Sequence, residues 1–190
     1  MTLNKQRCSW CGNDEVYIDY HDKEWGVPVK NDAVFYEFLL LESFQAGLSW
    51  ITILKKRENF SVAFDNFDYR KIAAYDQEKI EALRNDKGIV RNKLKIKAAI
   101  SNAQAFMAIQ KEHGSFSTYI WRFVDGKPIQ NQWGNHEDIP ASTPLSDAIS
   151  KDLKKRGFKF VGSVIIYSLL QATGLINDHV TSCFRHKELS

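Results

Sequence analysis

Apolar residues recur along most of this chain with the period of an α-helix. Between Asn31 and Gly47 they cover nearly the whole circumference, which is typical of a buried helix. A longer amphipathic helix is predicted from Asn92 to Glu112. Thr143 and Pro144 form a helix start, and Gly157 forms a stop, so a helix is predicted over Leu145–Arg156.

The remaining periodic segments predict shorter helices. They are Trp50 to about Phe64, Arg70–Ala74, Gln77–Asn85, Phe116–Val124, and Ser163 to near Gly174. The β-branched run Val161–Ile166 is an alternative strand, and Gly126–Pro140 is expected to be an irregular loop. Ten Gly and four Pro are too few turn-formers for an all-β protein, so the predicted fold class is all-α.

Composition limits the class of protein. The 190 residues are 44% hydrophobic and 26% charged, which is typical of a soluble globular chain. The longest apolar stretch, Phe160–Leu170, is too short to span a bilayer, and Met1–Gln6 lacks the apolar core of a signal peptide. Three cysteines make no disulfide framework. We expect a reduced, cytoplasmic protein with no membrane partner, and take a monomer as the default.

Metal-type side chains lie near both ends of the chain. Cys8 and His21 are near the start, and His179 and Cys183, four apart, share one helical face or one turn near the end. Two thiolates and two imidazoles would complete a closed, structural zinc shell that ties the chain ends together. Cys11 complicates this hypothesis because it forms a C-x-x-C motif with Cys8. Free buried thiols and ordinary histidines are the alternative. The other histidines are expected at the surface: His113, His136 and His186.

One carboxylate is predicted on a buried face. Glu42 follows Phe35 by seven positions and Phe38 by four, so it shares the apolar face of its helix. Burial of an acid raises its pKa and requires either a partner or a function. Aromatic walls around one acid suggest a pocket for a flat cationic ligand. The alternatives are a structural Glu bonded to the backbone or an Arg, and an aromatic-rich core. The rings near Glu42 in sequence are Trp10, Tyr17, Tyr20, Trp25 and Trp50.

Basic residues form two clusters, although 26 basic and 23 acidic residues nearly balance. A turn between two helices places free N–H groups where they could face an anion, so the clusters suggest a phosphate-binding surface. Solvated faces are the ordinary alternative. Leu48, on a turn between helices, is either a packing residue or a wedge between base steps. The clusters are Lys151, Lys154, Lys155, Arg156 and Lys159, and Arg84, Lys87, Arg91, Lys93, Lys95 and Lys97.

Four motifs together resemble one family. They are YHDKEWG at 20–26, LESFQAGLSWIT at 41–52, KKRGFKFVG at 154–162 and NDHVTSC at 177–183. These motifs are long and specific, and the resemblance covers nearly the whole chain, from about Cys8 to Cys183. The chain thus resembles the DNA-3-methyladenine glycosylase I family of the helix-hairpin-helix glycosylase superfamily.

The resemblance implies an all-helical fold in one glycosylase unit, residues 1–190. Its helical core would span about 31–174, and a zinc clasp would be formed by 8–21 and 179–183. The implied ligands of one structural Zn²⁺ per chain are Cys8, His21, His179 and Cys183, which leaves Cys11 as a spare thiol.

The resemblance also implies roles for the pocket and the DNA-contacting loops. Glu42 matches the catalytic acid that recognises the methylated base, and Tyr20 and Trp50 match the rings that stack on it. Gly47 and Leu48 match the loop that probes the DNA. The pocket would also include Trp10, Tyr17 and Trp25, and the phosphate contacts would come from Lys155, Arg156, Lys159 and Gly162.

The chain departs from the superfamily pattern at two places. The hairpin usually carries two glycines separated by one residue, whereas Phe160 replaces the first here and Gly162 remains. The superfamily also uses an Asp after the hairpin as its acid/base. Asp178 lies near that place, but it precedes the implied zinc ligand His179.

The implied function is DNA repair by a monofunctional glycosylase. It would flip 3-methyladenine out of alkylated double-stranded DNA, hydrolyse the N-glycosidic bond, release free 3-methyladenine and leave an abasic site. Two rival hypotheses stay open. One is a non-enzymatic, zinc-stabilised DNA-binding module, and the other is a glycosylase for another base, such as uracil or an oxidised purine.

Overall fold

The structure, a computed structural model, describes residues 5–45 and 47–190, so Met1 to Asn4 and Ala46 lie outside the described residues. The α-helices in these ranges are α1 (Glu15–Lys23), α2 (Asp32–Gln45), α3 (Trp50–Leu54), α4 (Arg57–Ala63), α5 (Tyr69–Ile72), α6 (Gln77–Asn85), α7 (Lys93–His113), α8 (Phe116–Trp121), α9 (Pro144–Lys155), α10 (Ser163–Ala172) and α11 (Phe184–Glu188). Short 3-10 helices are Ser9–Cys11, Asp65–Phe67, Arg122–Val124 and His136–Asp138. No helix of the described ranges is both long and apolar enough to cross a bilayer.

A short strand pair departs from the predicted all-α fold. Strand β1 (Ile129–Gln130) pairs in parallel with β2 (Ile176–Asn177), and Ile129 lies opposite Ile176. The stretch Gly126–Pro140 therefore holds a strand and a 3-10 helix, and the expectation of an irregular loop was wrong. A two-residue strand has no periodic signal, and its partner lies 47 positions further along the chain. The helical class itself is confirmed.

Helix α2 lies in the middle of the helical packing, as its apolar pattern predicts. Phe35, Leu41 and Phe44 have no exposed surface. Helices α3, α7, α8 and α10 all contact α2. Side chains on every face of α2 are thereby removed from water, including those that line the site described below.

The predicted starts of two long helices rest on local capping. The side chain of Asn92 accepts hydrogen bonds from the N–H groups of Leu94 and Lys95 and so starts α7. Thr143 and Ser146 bond each other's backbone N–H reciprocally at the start of α9, with Pro144 as its first residue. Both helices begin within one residue of the predicted positions.

Two other segments differ from the simplest predictions. The helix predicted from Trp50 to about Phe64 is divided into α3 and α4, with Lys55 and Lys56 between them. The alternative strand at Val161–Ile166 was wrong, because α10 begins at Ser163. Val161 is buried before the helix, and α10 packs on α2 and α9, so tertiary packing overrides the β preference of this run.

The hairpin, residues 156–162, joins α9 to α10 and is clamped from α7. The Asn102 side chain accepts from the Lys159 N–H at 2.8 Å, and its amide nitrogen donates to the Lys159 carbonyl at 3.0 Å. Ser150 donates to the carbonyl of Val161. Phe160 has φ +55°, in the left-handed region that favours glycine. A bulky residue therefore occupies, at this position of the hairpin, a backbone conformation that glycine adopts without strain.

Candidate active site and metal centre

A cavity of about 220 Å³ opens beside the C-terminal half of α2. Helices α1, α2 and α10, the start of α3, and the two 3-10 helices near Trp10 and His136 surround it. Glu42 and all five rings predicted from the sequence lie in its wall. The lining residues are Trp10, Tyr17, Tyr20, Trp25, Glu42, Gln45, Trp50, His136, Ile139, Ser168 and Gln171.

The aromatic rings of the cavity wall pack edge-on or tilted against one another. The Trp10 ring meets those of Tyr17 and Trp25 edge-on, with centroids 4.9 and 5.0 Å apart. The rings of Tyr20 and Trp50 lie 5.6 Å apart and are inclined at 55°. Edge-on packing fixes the orientation of rings by their quadrupoles. Burial, and then the charge of Glu42, raise the pKa of Tyr20 well above its ordinary value, so this phenol stays protonated.

Glu42 has a buried carboxyl group that no side chain or backbone group of the described residues pairs with. The residue is 3% exposed, and burial raises its pKa to about 8. Across residues 5–45 and 47–190, no hydrogen bond or ion pair reaches its side chain. Arg57 pairs with Glu24 and Glu37 instead. The alternative of a structural Glu bonded to the backbone or an Arg is therefore wrong, and the carboxyl group is available to a ligand.

Five lining residues were missed by the sequence analysis. Ser168 and Gln171 lie three positions apart on α10 and so share a face of that helix. That spacing was a usable signal, but nothing in the sequence indicated which face meets α2. Gln45 is one turn beyond Glu42. The other two, His136 and Ile139, come from the segment expected to be an irregular loop.

The predictions for the three remaining histidines fared differently. His136 is exposed, as expected, but it stands at the cavity. His113 is half-buried. The expectation for His186 was wrong, because it is 6% exposed and its ring nitrogen contacts the carbonyl oxygen of Asn131 at 2.9 Å. Helix α11 packs on the segment that follows β1, and the sequence around His186 contains no pattern that predicts this long-range contact.

Asp178 is buried beside the cavity but does not line it. It is 1% exposed. Its Oδ1 accepts from Asn131 and Trp133, both at 2.7 Å, and its Oδ2 accepts from Tyr167 at 2.5 Å and Gln171 at 2.8 Å. Four donors occupy both oxygens, so this carboxylate has no accessible lone pair for a water molecule.

The four metal-type side chains from the two chain ends come together. Ligand atoms of Cys8, His21, His179 and Cys183 all lie within 4.8 Å of one another, and all four residues are buried. The sulfur of Cys183 is 3.5 Å from a ring nitrogen of each histidine, and that of Cys8 is 3.6 Å from His179 Nδ1. Zinc–sulfur and zinc–nitrogen bonds of ordinary length place neighbouring ligands of a tetrahedron about 3.5 Å apart. The cluster could therefore hold a metal ion.

The outward nitrogens of both histidines have partners that fix which nitrogen faces inward. His21 Nδ1 contacts Asp22 Oδ1 at 2.7 Å, which leaves Nε2 for the cluster. His179 Nε2 contacts the carbonyl of Trp25 at 3.0 Å, which leaves Nδ1. Such outer contacts are typical of metal-binding histidines. Cys11 points away, since its thiol donates to the carbonyl oxygen of Cys8.

The predicted DNA-contacting residues lie on two turns. Leu48 is 39% exposed, and Gly47 has φ +82° in open space. Lys155 and Lys159 are exposed, and Gly162 is the N-cap of α10. Arg156 differs, because its guanidinium pairs with Glu112 at 2.6 Å and Asp152 at 2.8 Å, contacts that raise its pKa. Its positive charge is already balanced within the protein.

Known proteins match the chain over nearly its whole length. The model of the methyladenine glycosylase family matches residues 10–186. DNA-3-methyladenine glycosylase 1 of Escherichia coli (strain K12) is 49% identical over 178 residues, which cover 94% of this chain and 95% of the relative. A crystal structure of 3-methyladenine DNA glycosylase I superposes with a TM-score of 0.92 at 52% identity, covering 94% of this chain and 98% of that one.

A second solved structure, of a point variant of 3-methyladenine DNA glycosylase I in complex with 3-methyladenine, has a TM-score of 0.91 and 38% identity. It covers 94% of this chain and 96% of its own. These matches confirm the resemblance drawn from the four motifs. The chain belongs to the methyladenine glycosylase family.

Proposed function

We propose that this protein is a monofunctional DNA-3-methyladenine glycosylase. It hydrolyses the N-glycosidic bond of 3-methyladenine in alkylated double-stranded DNA, releases the free base and leaves an abasic site. Family membership supports this reaction, and one observation carries its chemistry: the buried, unpartnered carboxyl of Glu42 in a cavity walled by five rings.

The cavity binds a base that has left the helical stack. Flipping a nucleotide costs a few kcal/mol, and stacking on aromatic side chains offsets that cost. Tyr20 and Trp50 supply the stacking faces, and Trp10, Tyr17 and Trp25 complete the apolar wall. Methylation at N3 gives adenine a positive charge, so the rings attract the damaged base more strongly than the neutral one.

The charge of the damaged base also defines the task of the catalytic carboxyl. The cationic base departs as a neutral molecule, so no strong general acid is required. The remaining demand is stabilisation of an oxocarbenium-like sugar and attack by water. Glu42 accepts hydrogen bonds from the base edge, and its negative charge favours a cation over neutral adenine. Because both Asp178 oxygens are occupied by donors, Glu42 is the carboxyl group available at the reacting base.

Two turns contact the DNA in this proposal. Gly47 and Leu48 probe the duplex at the lesion, with the exposed Leu48 side chain as a wedge. Lys155, Lys159 and the N–H groups at Gly162 contact phosphates. Arg156 can join them only by exchanging its ion pairs with Glu112 and Asp152, so its contribution is the smallest of the set.

The metal held by the buried cluster is zinc in this proposal, one ion per chain. Two cysteines and two histidines complete a tetrahedral shell and leave no position for water, so the ion serves the fold and not the reaction. It clasps segments 8–21 and 179–183 around the helical core, about 31–174, in one unit. None of the three cysteines forms a disulfide, which fits a reducing compartment, the cytoplasm. We take the active protein to be a monomer.

A panel of damaged duplexes tests the reaction. The purified protein is incubated with DNA methylated by a radioactive methyl donor, and with duplexes that contain uracil or an oxidised purine. Chromatography then identifies any released base. We expect 3-methyladenine as the released product and a much lower yield with Glu42→Gln. Release of only another base would indicate the rival glycosylase, and binding without any release would indicate the DNA-binding module.

A further inference from the structure

Gln171 on α10 is held with a defined face toward the cavity. Its side-chain nitrogen donates to Asp178 Oδ2 at 2.8 Å. Because a carboxylate only accepts hydrogen bonds, the atom facing Asp178 is the carboxamide nitrogen and the oxygen points elsewhere. Within residues 5–45 and 47–190 that oxygen has no hydrogen-bond partner, and Gln171 lines the cavity. A fixed hydrogen-bond acceptor is therefore available to a ligand.

Asp178 makes this orientation rigid. Its other three donors come from two separate parts of the chain: Tyr167 on α10, and Asn131 and Trp133 after β1. The indole of Trp133 can only donate, so Asp178 must accept on that side. Turning the Gln171 carboxamide by half a turn would place its oxygen against the Asp178 carboxylate and leave two acceptors facing each other.

We propose that Gln171 is a specificity-determining residue, whose side-chain oxygen accepts a hydrogen bond from the exocyclic amino group of the flipped base. Asp178 is the positioning residue that aims it. This inference rests on the proposed function. In 3-methyladenine attached to its sugar, only the amino group carries hydrogens on nitrogen. That group has two, so the acceptors of Glu42 and Gln171 do not compete for one hydrogen.

The same geometry disfavours a base with an oxygen in place of the amino group. Its lone pairs would face those of Gln171, and a site built around a hydrogen bond rejects analogues that cannot make it. Ring stacking and charge preference do not make this distinction, because they depend on the flat, methylated ring, whereas the hydrogen bond that Glu42 accepts from the amino group does make it. Gln171 thus adds a second acceptor for the amino group, beside Glu42, to selection by charge.

Calorimetry with free bases separates the contact from a general packing role. The ligands are 3-methyladenine and 3-methylpurine, which lacks the amino group, and the proteins are the wild type and Gln171→Met. Loss of one hydrogen bond should weaken 3-methyladenine binding by roughly tenfold. Binding of 3-methylpurine should change less than twofold. Gln104→Met is the matched control, since Gln104 is exposed on α7 and bonds the Ala73 carbonyl.

Other outcomes would overturn the proposal. Equal weakening of both ligands would mean that Gln171 only shapes the cavity. Unchanged binding with slower single-turnover excision would mean that its oxygen serves the attacking water. If the wild type released no 3-methyladenine from DNA, the proposed function itself would fail, and that result is separate from either of these.

A second variant tests the positioning role of Asp178. In Asp178→Asn the side-chain amide nitrogen at position 178 can face Gln171 and donate to it. The Gln171 oxygen can then face position 178, and the Gln171 nitrogen faces the cavity. The ratio of affinities for 3-methyladenine and 3-methylhypoxanthine, which carries the oxygen, should then fall by roughly tenfold or more. A purely structural residue would weaken both ligands alike and leave the ratio unchanged, which would contradict the positioning role.

Discussion

At the residue scale, the buried carboxyl group of Glu42 affects both the stability of the protein and the binding of a cation. A buried carboxyl without a partner favours its neutral form, and its pKa of about 8 means that the empty cavity holds mostly the protonated acid at neutral pH. A cationic base reverses this preference, because an opposite charge favours ionisation. In the proposed function, the group that discriminates the lesion is therefore also one that destabilises the folded protein once it ionises.

Replacement of Glu42 should raise stability in a pH-dependent way. The folded pKa of about 8 lies above the unfolded value near 4.5, so between these values the unfolded chain loses the proton while the folded chain keeps it. Wild-type stability then falls as pH rises through this window, whereas glutamine does not titrate. The stability of Glu42→Gln relative to the wild type should increase by about 3 kcal/mol from pH 5 to pH 8, measured by urea unfolding.

Comparison of the two proteins at each pH removes every titration that they share from this result. Glu58→Gln, at an exposed acid of α4, is the matched control and should show no such trend. A difference between Glu42→Gln and the wild type that stays constant over the whole range would mean that Glu42 ionises freely in the folded protein. The charge argument for base recognition would then lose its physical basis.

Individual site residues were predictable only where a local pattern exposed them. Glu42 was found because it interrupts an apolar face at helical spacing, and the rings because they are uncommon residues close to it in sequence. Gln171 and Ser168 look like ordinary polar residues of α10, and only the packing of α10 on α2 places them in the cavity wall. That no hydrogen bond or ion pair reaches the Glu42 side chain from the described residues is a result of tertiary packing, which no local pattern records.

At the scale of elements, the hairpin at 156–162 contains a backbone conformation that is usual for glycine but is adopted here by Phe160. Phe160 adopts the left-handed backbone conformation that glycine adopts without strain. The two hydrogen bonds between the Asn102 side chain and the Lys159 backbone, and the burial of Val161, hold the turn in place. A residue with a Cβ in this region is disfavoured by roughly 1–2 kcal/mol. The hairpin at residues 156–162 thus carries backbone strain that neighbouring contacts offset.

A pair of variants isolates that strain. Phe160→Ala and Phe160→Gly both remove the ring, but only the second removes the Cβ. We expect Phe160→Gly to be more stable than Phe160→Ala by about 1 kcal/mol in denaturant unfolding. The order should reverse at Val164, an exposed helical residue of α10, where Val164→Gly should be less stable than Val164→Ala by about 1 kcal/mol. The same order at both positions would rule out strain at the hairpin.

The elements themselves were predicted best where their ends are coded locally. Asn92 and Thr143 cap their helices through side chains within three positions, so α7 and α9 begin where the sequence indicates. The break between α3 and α4 carries no glycine or proline, and the β1–β2 pair depends on two distant segments. Both features arise from tertiary packing, which a periodic pattern does not contain.

At the scale of the whole molecule, the cluster of Cys8, His21, His179 and Cys183 brings together segments near the two ends of the chain. Cys8 and His179 are 171 positions apart, so the cluster closes nearly the entire chain into one loop. A cross-link that closes a long loop lowers the conformational entropy of the unfolded chain and so stabilises the fold. This stabilisation is largest for long loops, although it grows only slowly with loop length. The cluster also packs against the active site, because the carbonyl that contacts His179 belongs to Trp25 of the cavity wall.

Metal removal should therefore loosen both the chain ends and the cavity. A structural site couples metal loss to unfolding, so we expect a strong chelator under reducing conditions to lower the melting temperature by about 10 °C or more. Cys8→Ser and His179→Ala should each lose the metal, measured by elemental analysis at about one zinc per wild-type chain. Cys11→Ser is the matched control, because its thiol contacts only backbone carbonyls, and it should keep the metal. Metal retained by both ligand variants would contradict the ligand set, and metal lost without a change in melting temperature would contradict the clasp.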